Sequence, residues 1–131
     1  FYFFYIIFFK LKLFESLILG DLPCAIVNSR GPRIVNTLNV QFAGIDGQAL
    51  VVILDQLGVQ CSQSSACTNS RPEPSYVLRA MGLSEEQSYS SVRFSISQFT
   101  TAAEIETAVA NITQAVQMQE NAFHNEGVVL N

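Results

Sequence analysis

The chain has 131 residues, of which 49% are apolar, and a formal net charge of -4 at pH 7. That length and apolar content suit a single domain. The acidic balance, without any run of Lys or Arg, argues against nucleic acid as a partner, because phosphates bind basic surfaces. Three cysteines at irregular spacing fit neither a disulfide framework nor a paired zinc motif, so we expect a reducing, cytoplasmic location.

Residues 1–10 form an atypical aromatic stretch, and the chain begins at Phe1 rather than Met. Lys10, Lys12 and Glu15 interrupt the apolar run before the roughly 20 residues that a membrane span requires. The lysines follow the apolar residues, whereas a signal peptide has its charges first. We therefore expect no membrane partner, and a fragment whose first ten residues reflect truncation.

Hydrophobic periodicity predicts alternating helices and strands in the first half of the chain. Residues 11–19 have apolar side chains at helical spacing, followed by a turn signal. Residues 38–42 alternate apolar and polar side chains, as in a strand with one face on a core. Asp46 can cap a second helix that Gly58 ends, and residues 59–61 follow as a short strand.

The middle of the chain changes character. Residues 62–74 are rich in Ser and Thr and show no apolar periodicity, so they are predicted to form an exposed loop that contains Cys67. A helix is predicted for residues 75–81. Residues 92–96 alternate again, which predicts a second long strand with Arg93 on its polar face.

A last helix follows, and it begins at a capping box formed by Thr101 and Glu104. Its apolar face ends before residues 121–131, which we interpret as a polar C-terminal tail. The order of elements predicts an α/β domain over residues 11–120, with a small sheet covered by helices on one face.

Two residues are candidates for chemistry. Cys67 has polar neighbours that cannot bury it, whereas Cys61 ends a short apolar strand, so Cys67 is the candidate reactive thiol, although an inert thiol is the more common case for a lone cysteine. Arg93 is flanked by Ser91 and Ser95 on one strand face. Its planar guanidinium suits a carboxylate, although most strand arginines are solvated charges.

The residues around Cys67 resemble the active-site segment of cysteine desulfurases. The strings that carry the resemblance are Ser-Ala-Cys-Thr at 65–68, Glu-Pro-Ser at 73–75 and Val-Leu-Arg-Ala-Met-Gly-Leu at 77–83. It continues upstream and downstream and covers residues 11–119. The resemblance implies the C-terminal small domain of a fold-type I pyridoxal-phosphate enzyme, of the group that passes sulfur to iron-sulfur scaffold or thiolation proteins.

The resemblance also implies roles for both candidates. Cys67 would attack the sulfur of the substrate L-cysteine, release L-alanine and hold the sulfur as a persulfide, while Arg93 would bind the substrate carboxylate. The enzyme would be a homodimer whose large domain binds pyridoxal 5'-phosphate on a lysine. The lysines of this chain, Lys10 and Lys12, lack that lysine's context, so we expect the chain alone to be inactive.

Other functions stay open at this point. Another enzyme of the same class, such as a selenocysteine lyase or a transaminase-like homologue, could share the small domain, although a transaminase has no use for a mobile thiol. A non-catalytic sulfur carrier or dimerisation module is a further alternative. An upstream coding sequence with a His-Lys pair in frame would favour the desulfurase.

Overall fold

A four-stranded antiparallel sheet organises the part of the chain that the computed structural model describes. Its strands are β1 (Ala25–Val27), β2 (Thr37–Phe42), β3 (Cys61–Gln63) and β6 (Ser91–Ser95), in the order β1-β2-β6-β3. The structure describes residues 2–28, 36–63, 66–68, 71–73, 78, 80 and 82–129, of which 3, 66–68, 71–73 and 123–129 are described by their backbone alone.

Three helices cover one face of this sheet and bury its apolar side chains. They are α1 (Tyr2–Asp21), α2 (Gly47–Gln56) and α4 (Ala102–Val129), while α3 (Glu85–Tyr89) is a short helix before β6. Leu38, Val40 and Phe42 of β2 are fully buried under them, and the Phe14 ring of α1 lies 5.3 Å from that of Phe94, centroid to centroid. The predicted α/β architecture, with helices on one face of a small sheet, is confirmed.

The prediction that residues 62–74 form a loop without regular secondary structure is wrong. Residues 62 and 63 belong to β3, and β4 (Ala66–Thr68) pairs with β5 (Arg71–Glu73) as a separate antiparallel hairpin. Strands of three residues are too short to show a period of two, so the sequence pattern could not reveal them. The exposure predicted for the Cys67 side chain lies outside the described residues.

Several element boundaries differ from the prediction. The strand expected at 59–61 is β3 at Cys61–Gln63, and β1 was not predicted at all. Most of the helix expected at 75–81 lies outside the described residues. The two of its residues that are described, Leu78 and Ala80, are helical.

The first and last helices are longer than expected. Helix α1 begins nine residues before residue 11, because its aromatic residues continue the helix without a break. Helix α4 runs through residue 120 to Val129, so the segment expected as a polar tail is helical as far as that residue. Among the described helices, none is long and apolar enough to cross a membrane.

The predicted helix caps are confirmed. The Asp46 carboxylate accepts hydrogen bonds from the backbone amides of Gln48 and Ala49, at 3.0 and 3.2 Å. Gly58, with φ +85°, takes the left-handed conformation that ends α2. Thr101 and Glu104 exchange two hydrogen bonds of 3.1 Å in a capping box. These caps set both ends of α2 and the start of α4.

Candidate functional site

A row of polar side chains crosses the face of the sheet opposite the helices. Asn39 of β2 pairs with Arg93 of β6, and Arg93 pairs with Ser62 of β3. Asn28, just after β1, continues the row, because its backbone amide donates to the carbonyl of Asn39 at 2.9 Å. Direct partners in an antiparallel sheet share a face. Arg93 is exposed in the middle of this row, as its strand pattern predicted.

Buried hydrogen bonds organise one side of this row. The side-chain amide of Asn28 donates to Oδ1 of Asn39 at 2.7 Å and to Oγ of Ser91 at 2.8 Å. The Ser91 hydroxyl in turn donates to the Gln87 carbonyl of α3 at 2.8 Å. Asn28 and Ser91 are buried, so their polar groups cannot hydrogen-bond to water. The bonds within the protein satisfy these groups instead. The network therefore ties β1, β2, β6 and α3 together beside Arg93.

Hydrogen bonds at both ends hold helix α3 in place before β6. Ser84 and Gln87 form a capping box at its start, with bonds of 2.8 and 3.1 Å. At its other end, the Tyr89 carbonyl accepts a hydrogen bond from the Gln63 side chain of β3 at 2.9 Å. A Cβ on Gly47 would collide with the same carbonyl, so the close approach of α2 and α3 requires glycine at that position.

Chain connectivity limits how far the Cys67 backbone can lie from the strand partner of Arg93. Cys67 comes five positions after Ser62, the strand partner of Arg93, and an extended chain of that length reaches at most about 18 Å. Cys67 pairs with Pro72 in the β4–β5 hairpin. Ser62 lies on the edge strand β3, next to the inner strand that carries Arg93, while the position of the Cys67 thiol lies outside the described side chains.

The surroundings of the other two cysteines disfavour their thiolate forms. Burial, followed by the negative charge of Asp55, raises the pKa of the Cys61 thiol to about 11. Burial and the Glu120 carboxylate raise the pKa of Cys24 in the same direction. Because the thiolate is the reactive form, the raised pKa lowers the reactivity of both thiols at neutral pH. Cys61 is partly rather than fully buried, and it packs against the core as predicted.

A concave region of about 670 Å³ lies beside α3, and its charge disfavours an anionic ligand. Asp46, Glu85 and Glu86 contribute to its lining. A substrate carboxylate would be repelled there, whereas Arg93 supplies positive charge on the polar face. Within the described residues, the structure shows no group of His, Cys, Asp and Glu side chains arranged to hold a metal ion.

Sequence reasoning did not identify Asn28. The alternation in β2 had placed Asn39 on the polar face, but Asn28 follows a strand of three residues that shows no readable period. Its position depends on the pairing of β1 with β2, which is a tertiary feature. The short apolar run of residues 25–27 directly before it is the one signal in the sequence that could have pointed to it.

The relatives of this chain are cysteine desulfurases. It is 43% identical over 129 residues to the cysteine desulfurase IscS of Vibrio atlanticus, with 92% of this chain and 31% of that protein covered. It is 46% identical over 106 residues to the same-named enzyme of Tolumonas auensis, with 80% of this chain and 25% of that protein covered. No protein-family model matches.

Solved structures agree on the fold. A NifS-like protein from Rickettsia africae superposes with a TM-score of 0.72 at 23% identity, covering 87% of this chain and 29% of that one. The chain spans a quarter to a third of the length of the two curated sequence relatives described above. Over that span it is homologous to the cysteine desulfurases and has their fold.

Proposed function

We propose that this chain is the cysteine-bearing small domain of a cysteine desulfurase, with Cys67 as the sulfur acceptor and Arg93 as the carboxylate-binding residue. The observation that carries the proposal is the 43% identity to a cysteine desulfurase over nearly the whole chain. The polar row that presents Arg93 supports it independently.

The surroundings of Arg93 suit a substrate carboxylate. Its row neighbours, Asn39 and Ser62, are neutral, and within the described part of the chain no carboxylate forms an ion pair with its guanidinium. A planar guanidinium can donate two parallel hydrogen bonds to a carboxylate, which fixes orientation as well as charge. The substrate L-cysteine would thus be held by its carboxylate with its sulfur free to react.

The reaction proposed for Cys67 is the transfer of the substrate sulfur atom to its thiolate. The Cys67 thiolate forms an S–S bond to the substrate sulfur, the substrate C–S bond breaks, and the carbon keeps that electron pair and takes up a proton. L-Alanine leaves and a persulfide remains on Cys67. The raised pKa values of the two other thiols favour their protonated, less reactive forms.

The residues of this chain do not fit a covalent anchor for pyridoxal 5'-phosphate. Both lysines lie on α1, which packs on the face of the sheet opposite Arg93. Lys10 donates to the Gln98 carbonyl at 2.8 Å, and Lys12 forms an ion pair with Glu15 at 3.6 Å. We assign cofactor binding to the part of the relatives that this chain does not span. The complete protein would be a cytoplasmic homodimer that passes sulfur to an iron-sulfur scaffold or thiolation protein.

The test is a chimera in which this chain replaces the matching segment of the Vibrio atlanticus enzyme. We expect the chimera to release alanine from L-cysteine. Cys67→Ser should abolish turnover, because a hydroxyl is far less nucleophilic than a thiolate. Arg93→Lys should raise KM and keep a measurable turnover at high cysteine, because an ammonium keeps the charge and loses the two-point contact.

Cys61→Ser is the matched control and should leave turnover unchanged, since Cys61 lies on the apolar face. Absorbance of the bound cofactor and gel filtration show whether each chimera is folded. A folded chimera without turnover, or a Cys67→Ser variant that matches the unsubstituted chimera, would contradict the proposal.

A further inference from the structure

Asn39 and Arg93 are strand partners at a position where side chains come close together. The backbone amide of Phe42 donates to the Ser90 carbonyl at 2.9 Å, which makes those two residues a hydrogen-bonded pair of the β2–β6 ladder. Hydrogen-bonded and non-hydrogen-bonded pairs alternate along an antiparallel ladder. Asn39 and Arg93 lie three positions further along. They are therefore a non-hydrogen-bonded pair, whose Cα atoms are about 4.5 Å apart and whose side chains are close neighbours.

The hydrogen bonds beside this pair can run in one direction only. The Ser91 hydroxyl has a single proton, which it donates to the Gln87 carbonyl. The Ser91 oxygen therefore accepts from Asn28, so the contacting atom of Asn28 is its amide nitrogen. The same nitrogen contacts the Asn39 side chain at 2.7 Å, so the contacting atom of Asn39 is its oxygen, Oδ1. The network thus fixes the orientation of the Asn39 amide.

This orientation turns the amide nitrogen of Asn39 toward Arg93. Strand β2 lies between β1 and β6, with Asn28 next to β1 on one side and Arg93 on β6 on the other. Oδ1 of Asn39 is directed to Asn28, and the nitrogen of an amide group lies on the opposite side from its oxygen. Nδ2 is therefore directed toward β6. It carries two N–H groups, so it can donate to a ligand beside Arg93 and to one further acceptor.

Two groups of donors consequently stand side by side on the polar face. A guanidinium and an amide nitrogen cannot hydrogen-bond to each other, because both are donors. With the opposite orientation, Asn39 would offer its oxygen to the guanidinium and compete with a substrate for it. Asn28 prevents that orientation. The position next to Arg93 therefore suits a ligand that is rich in acceptors.

We propose that Asn39 is a second substrate-binding residue, whose Nδ2 donates a hydrogen bond to the carboxylate that Arg93 holds. This inference rests on the proposed desulfurase function and adds a contact to it. The two oxygens of a carboxylate offer about four acceptor positions, so they can take two bonds from a guanidinium and a third from an amide. A thiol without a carboxylate would gain nothing from Asn39. The residue would thus help to select substrates that carry a carboxylate next to the amine.

Asn39→Asp, made in the chimera, changes the one atom on which the proposal depends. The new side chain keeps the size and shape of asparagine and still accepts from Asn28, so the fold should be retained. It replaces the nitrogen next to Arg93 with an oxygen, which would bind the guanidinium and repel the substrate carboxylate. We expect KM for L-cysteine to rise by at least roughly 100-fold, with a much smaller change in kcat.

Asn39→Ala distinguishes a substrate contact from a purely structural role. The absorbance of the bound cofactor reports the binding of L-alanine, the product, and of ethylamine, which is the same amine without the carboxylate. The dissociation constant of L-alanine should rise about 10-fold, because a hydrogen bond to a charged group is lost. That of ethylamine should stay unchanged, whereas a disturbed fold would weaken both.

The matched control is Thr37→Val, on the same face of β2 and opposite Ser95, which should change neither KM nor kcat. Circular dichroism and gel filtration show whether each variant is folded. An active chimera in which Arg93→Lys raises KM while both Asn39 variants leave it unchanged would overturn this inference alone. Equal losses for L-alanine and ethylamine would also overturn it. A folded chimera without any turnover would overturn the proposed function and this inference with it.

Discussion

Asn28→Asp tests the hydrogen bonds that order the polar face. The substitution keeps size and shape, but it replaces an amide that donates to Asn39 and Ser91 with an acceptor placed 2.7 Å from another acceptor. Two hydrogen bonds are lost and a charge is left in a buried position. We expect the free energy of unfolding at pH 7 to fall by about 3–5 kcal/mol.

The loss should depend on pH in a definite direction. Burial and the neighbouring acceptors disfavour the carboxylate, so the pKa of the new side chain should be higher in the folded state than its unfolded value of about 3.9. The unfolded state then binds fewer protons above that pH, and the variant should lose stability relative to wild type as pH rises from about 4. Urea unfolding from pH 3.5 to pH 7.5 measures this. Asn121→Asp, on an exposed part of α4, is the control. If Asn28→Asp lowers the free energy of unfolding by less than 1 kcal/mol, or by the same amount at every pH, the reasoning is refuted.

Further predictions concern other parts of the fold. Cys61 should react with iodoacetamide roughly 100-fold more slowly than a thiol of ordinary pKa, since its pKa is raised from 9.0 to about 11; peptide mass spectrometry measures this, and equal rates would contradict it. Because the unfolded chain releases that proton first, wild-type stability should fall as pH rises from about 9 to about 11, and Cys61→Ala should reduce the slope. Gly47→Ala should lower the free energy of unfolding by about 1–3 kcal/mol through the clash with the Tyr89 carbonyl. Gly20→Ala, in an open part of α1, should raise it by about 0.5–1 kcal/mol, and thermal unfolding distinguishes the two signs.

Local rules predicted those parts of the fold whose signals are local. The alternation in β2 and β6 gave the strands and the exposure of Arg93, and the caps at Asp46 and Thr101 gave the starts of two helices. Each of these features depends on side chains within a few residues of one another, so the sequence contains the whole signal.

Features that depend on tertiary contacts were missed. Strand β1 and the β4–β5 hairpin are held by backbone pairing between segments of three residues, for which no side-chain period exists. The position of Asn28 beside Asn39 follows from that pairing. The role of Cys67 came from resemblance to a family, since its polar neighbours alone are equally compatible with an inert thiol.

The most direct test of the proposed function is to identify which cysteine carries the sulfur after the reaction with L-cysteine. The chimera described above is incubated with one equivalent of L-cysteine, and the thiols of the protein are then alkylated. Mass spectrometry measures the masses of the peptides that contain its cysteines. The account predicts a persulfide on Cys67, and none on Cys24 or Cys61, whose raised pKa values disfavour the reactive thiolate. Alanine release with no sulfur on the Cys67 peptide, or with sulfur on Cys61 instead, would contradict it.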